Sequence, residues 1–138
     1  PPNQILIIVD LTTYSIHLTT YFGEWSRYNV FMMGRCRTGD GTEGDYIHLI
    51  SRGNTDGNTF TPSTDARRHL TLDTTPCAEF ELYIYIVANT LPASRIVSQS
   101  PPFEVEVTIR TPEGEVYAKP HTVNQWGGAT IYIEFPRK

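Results

Sequence analysis

The chain has 138 residues, with 11 Lys and Arg against 15 Asp and Glu and a formal net charge of −4. At that length it reads as a single domain, 1–138, able to bury about two-thirds of its unfolded surface. The acidic balance argues against nucleic acid as a partner, because phosphate binding needs a basic surface. The longest apolar run, residues 5–9, is too short to cross a bilayer, so no transmembrane segment is expected.

Charged residues are 19% of the chain, while Gly and Pro number 10 each. With abundant Thr, Ser and Asn, this describes a turn-rich β protein whose outer faces carry hydroxyls rather than Lys and Glu. Residues 5–9 are apolar on both strand faces, as in a covered central strand, and a terminal strand of this kind is also a docking edge. Residues 14–22 alternate, with Ile16, Leu18, Thr20 and Phe22 opposite His17, Thr19 and Tyr21. Residues 23–26 read as a turn containing Trp25, and 28–36 as a buried strand centred on Phe31, Met32 and Met33. Two loops rich in Gly, Asp and Asn, 39–45 and 53–58, flank a short strand at 46–51. Residues 61–68 lack periodicity and contain Arg67 and Arg68, read as a solvated turn rather than a phosphate clamp.

Strand character resumes at 69–73. Residues 79–87 give the longest clean alternation, with Phe80, Leu82, Ile84 and Ile86 inward and Glu79, Glu81, Tyr83 and Tyr85 outward. A connecting segment, 90–102, ends in Pro101 and Pro102, which set an extended approach to the next strand. Over 103–110, Phe103, Val105, Val107 and Ile109 alternate with Glu104, Glu106, Thr108 and Arg110. Residues 129–135 repeat that pattern, with Ile131, Ile133 and Phe135 against Thr130, Tyr132 and Glu134. These two half-buried strands require another apolar layer over them. Between them, 115–119 and 121–125 read as weaker strands broken by Pro120, which marks an edge or a bend, and Trp126 stands at a Gly-rich corner. The series predicts an all-β, antiparallel two-sheet β-sandwich of about eight or nine strands, of immunoglobulin-like, C2-like or jelly-roll type. A closed barrel is the competing architecture.

Cys36 and Cys77 are the only cysteines, too far apart in sequence for zinc-site spacing. Paired, they would close a loop of about 41 residues and imply an oxidising compartment; unpaired, they would serve as small buried hydrophobes. Pairing is the reading adopted, since Cys36 ends one strand pattern and Cys77 precedes another. No signal peptide is visible, and because the chain opens on Pro1 rather than Met a targeting segment could have been removed. With the paired cysteines, the setting expected is extracytoplasmic (secreted, periplasmic or envelope-anchored).

Catalysis finds little support. His17, His48, His69 and His121 are isolated, and no nucleophile-elbow or zinc-helix motif occurs. A triad assembled in space is still compatible with this, because sequence order does not encode geometry. Calcium is the one cofactor considered. Asp40, Glu43 and Asp45 offer three carboxylates on one loop, and Asn54, Asp56 and Asn58 alternate on the other. Turns that need Gly and Asn for backbone reasons are the favoured explanation of both sets. Aromatic residues suggest a ligand surface: Tyr83 and Tyr85 share the outer face of one strand and Tyr132 that of another, while Trp25 and Trp126 stand at turns. Such rings suit sugar stacking, and equally suit cross-strand pairing and core plugging. The function expected is therefore non-enzymatic: a protein–protein interaction or assembly domain that meets a protein partner or self-associates. The alternative is a carbohydrate-binding module using surface Tyr and Trp, with calcium as a possible support and a glycan as ligand.

Overall fold

A computed structural model describes residues 11–37, 43–50 and 68–135, with the strand at 43–50 described through its backbone alone. Along the chain the strands are β1 (Ser15–Thr19), β2 (Tyr28–Arg37), β3 (Glu43–Ile50), β4 (His69–Asp73), β5 (Glu79–Ala88), β6 (Phe103–Thr111), β7 (Gly114–Val123) and β8 (Ala129–Phe135). Short 3₁₀ turns occur at Trp25–Arg27 and Val97–Gln99, and no α-helix occurs among the described residues. Accordingly, no helix there is long and apolar enough to cross a membrane.

Two antiparallel sheets result, ordered β4-β1-β6-β7 and β3-β2-β5-β8. Only β2–β3 and β6–β7 pair as sequence neighbours, and every other step passes from one sheet to the other. The inward residues of both sheets merge into one apolar cluster. Ile16, Leu18, Val105, Val107 and Ile109 come from one sheet, and Val30, Met32, Leu82, Ile84 and Ile131 from the other. Rings bridge the layers: Tyr14 meets Phe80 with centroids 4.8 Å apart, and Phe103 meets Tyr28 at 5.2 Å. The fold is all-β and sandwich-like, with alternation in each strand set by one buried and one open face.

Several local expectations are corrected. Among the described residues there are eight strands, four to each sheet, β3 joining β2 by backbone pairing; the strand expected at 5–9 lies outside the described residues. Pro120 does not split 115–125 into two strands. It sits opposite Glu106 on β7, a continuous strand at the sheet edge, where its missing N–H deprives no neighbour of a hydrogen bond. The strands at 103–110 and 129–135 belong to opposite sheets, β6 lying between β1 and β7 and β8 beside β5. The turn after β6 leads instead into β7, with Gly114 at a φ of 132°. Glu43 and Asp45 belong to strand β3 rather than to a loop.

The disulfide is also absent. Cys36 and Cys77 are free thiols, 1% and 0% exposed, inside the apolar cluster. They are neighbours all the same: Cys77 bridges Thr12, the next residue's N–H donates to the Arg37 carbonyl at 2.8 Å, and burial followed by the Cys36 sulfur pushes the Cys77 thiol up to about 12.

Candidate functional site

The outer face of β2, β5 and β8 carries the aromatic residues singled out above. Odd-numbered positions of β2 and β5 point away from the core, and register sets them in rows. Met33, Tyr83 and Tyr132 lie side by side across the three strands, Phe31, Tyr85 and Thr130 form the next row, and Arg35, Glu81 and Glu134 the row on the other side. Met33 is 44% exposed, Tyr83 39% and Tyr132 47%, so the central row is open apolar surface. The Tyr83 ring stands 4.8 Å from Tyr132 at an interplanar angle of 46°, and 5.9 Å from Tyr85 at 10°.

Charge frames this patch. Arg37 reaches Glu79 at 3.5 Å and Glu81 at 3.8 Å, and the Tyr132 hydroxyl donates to Glu81 at 3.4 Å and Glu134 at 3.3 Å. Partial desolvation, then the neighbouring Glu134 carboxylate, raises the Tyr132 pKa, so the phenol stays a neutral donor. The result is a ridge of Tyr and Met with a rim of paired charges.

The other predicted site residues disperse. Trp25 is 1% exposed: the 3₁₀ turn folds it under the sheet end, where it packs on Tyr28 and Phe103, so it offers no ring to a ligand. Trp126 is half-buried on the β7–β8 turn, its backbone N–H held by the Asn124 side chain at 2.8 Å. Asp40, Asn54, Asp56 and Asn58 lie outside the described residues, as do the side chains of Glu43 and Asp45. Among the described residues no three His, Cys, Asp or Glu converge as a metal-binding group.

A second cluster escaped the sequence reading. On the outer face of the other sheet, Ser15 Oγ lies 2.9 Å from His17 Nε2, and His17 Nδ1 lies 2.8 Å from His69 Nε2, with Thr71 Oγ1 3.4 Å from the same Nδ1. The order is that of nucleophile, base and orienting group. The backbone does not complete it: β1 is paired on both sides, so its N–H groups serve the ladders and cannot face a developing oxyanion at Ser15. A surface cavity of about 430 Å³ beside Ser15, bordered by Asp73, Arg110 and Pro112, is open rather than water-excluding. No local pattern foretold the pair, since His17 and His69 are 52 positions apart and meet only through β1–β4 register.

Compared with known proteins, the chain matches no family model, no curated protein and no solved structure, so the reading of function rests on these two faces.

Proposed function

We propose that this is a non-enzymatic interaction domain of an extracytoplasmic protein, assembling through the Met33–Tyr83–Tyr132 row of the β2-β5-β8 face. The observation that carries the reading is the row itself, with Tyr and Met open to solvent on a sheet whose inner face already satisfies the core. Tyr, Phe and Met are the residues enriched at interface centres, and charged residues belong at the rim. The rim favours a second copy of this chain. Arg35 and Arg37 lie on β2 and Glu134 on β8, so a copy turned about an axis along β5 would set the basic side of one face over the acidic side of the other. A two-sheet frame supports a binding role only by analogy with other sandwiches. The turn-rich composition, sparing in Lys, supports the extracytoplasmic setting.

Carbohydrate binding is the weaker reading. Sugar stacking wants a flat ring face, and the 46° inclination of Tyr132 to Tyr83 breaks the common plane. Sedimentation velocity across a concentration series tests the assembly. The wild type is expected to dimerise reversibly, and Tyr83→Ser with Tyr132→Ser to remain monomeric at equal stability. A wild type that stays monomeric up to about 1 mM, where a weak interface would still associate, refutes self-assembly. Glycan-array binding that the tyrosine variants lose would establish the alternative.

A further inference from the structure

The polar face of the β4-β1-β6-β7 sheet holds one arrangement that sheet pairing alone does not require. His17 Nδ1 and His69 Nε2 face each other at 2.8 Å, with ring centroids 5.1 Å apart and planes inclined by 35°. Only one hydrogen fits between two nitrogens at that spacing, so one imidazole donates and the other offers its lone pair. Ser15 Oγ, 2.9 Å from His17 Nε2, suits a tautomer with the proton on Nε2 and the Nδ1 lone pair turned to His69. That is how metal-binding histidines are oriented: the non-ligating N–H donates to an outer partner.

We propose that His17 and His69 form a two-histidine site for a square-planar transition metal, copper(II) foremost and nickel(II) next, with water in the remaining positions. Two nitrogens at about 2.0 Å from a metal and cis in a square plane stand about 2.8 Å apart, whereas a tetrahedral zinc site spreads them to about 3.3 Å. The observed spacing fits the square plane without separating β1 from β4. The metal would take the place of the shared hydrogen, which in a neutral pair moves to Nδ1 of His69. Aiming both lone pairs at one point takes a rotation of the His69 ring, which is exposed on the edge strand. Binding would also clip edge strand β4 to its neighbour.

The full chain is titrated with copper(II) chloride in a non-coordinating buffer and read by electron paramagnetic resonance, and with nickel(II) by thermal unfolding. Expected is one copper per chain with hyperfine structure from two nitrogens, and a rise in Tm with nickel. His69→Ala, at an exposed position, should weaken copper binding about tenfold or more and remove the two-nitrogen signature. His17→Ala should do the same, and His121→Ala on β7 should leave both unchanged. If His17→Ala does not fold, His69→Ala and His69→Asn decide alone. Copper binding that survives His69→Ala with its two-nitrogen spectrum intact overturns the proposal, as does a wild type that binds no tighter than that variant.

Discussion

The two thiols yield the most quantitative prediction. Cys36 and Cys77 are within 1% of complete burial, and the Cys77 pKa stands at about 12 against an ordinary 9.0. The thiolate is the reactive form, so about a thousandfold less of it is present at Cys77 than at an open thiol at the same pH. Burial adds the free energy of whatever opening admits a reagent. A disulfide reagent such as dithionitrobenzoate at pH 8 should therefore find neither thiol within minutes in the native protein and both at once in guanidinium. Rapid native titration of Cys77 would refute the placement of this residue in the core. The same neighbours offer a check on compartment. Refolded with oxidised glutathione, the two thiols can pass two electrons and two protons to that disulfide and close a bridge of their own. A loop of about 41 residues makes that bridge worth ~4 kcal/mol in the chain-entropy model, read as a raised urea midpoint and a mass lower by two hydrogens.

Two further substitutions address the frame. The Tyr28 hydroxyl, fully buried, donates to the Gln125 carbonyl at 2.8 Å, so Tyr28→Phe leaves that acceptor without its partner at a cost of about 1–3 kcal/mol in urea unfolding. An unchanged midpoint would mean that the bond carries no net stability. His121, 3.0 Å from the Tyr117 hydroxyl, has its pKa lowered by burial and then by Lys119. Its folded pKa lies below the unfolded value of about 6.5, so the unfolded chain binds more protons between the two, and stability falls as pH drops through that window. His17 shifts in the same direction, so the His121 share is the difference between wild type and His121→Gln, whose stability should decline less from pH 8 to pH 5. Parallel declines would refute it.

Period-two alternation reports which face a side chain occupies and says nothing of which strand lies beside it. Phe80, Leu82, Ile84 and Ile86 are buried as their spacing requires, and so are Val105, Val107 and Ile109. The same alternation in 103–110 and 129–135 gave no means of telling partners in one sheet from members of opposite sheets. The tyrosine rows were half legible: Tyr83, Tyr85 and Tyr132 had to face outward, and the β5–β8 pairing that sets Tyr83 beside Tyr132 is a tertiary fact. Trp25 was misread because its burial depends on Tyr28 and Phe103 closing over a 3₁₀ turn, the second of them far along the chain.

The two outer faces answer the same structural requirement with different chemistry. Each sheet needs only a solvated outer surface with good cross-strand pairs. On β1, β4 and β6 that need is met by Ser15, Thr19, Thr71 and Thr108, together with the charged ends of β6. Hydroxyls, charges and the His17–His69 pair suffice there. On β2, β5 and β8 the equivalent positions hold Met33, Tyr83 and Tyr132, and each leaves apolar surface in water. Cross-strand aromatic pairing returns about 0.2–1 kcal/mol per pair, a gain that threonine ladders supply in part without exposing rings. The excess apolar surface on one face is thus poorly explained by the stability of the sheet that bears it. Covering by another molecule explains it better, and Tyr83→Ser with Tyr132→Ser separates the two accounts. If stability drops by several kcal/mol while association persists, the rings belong to the sheet; if association fails and the urea midpoint holds, they belong to the interface.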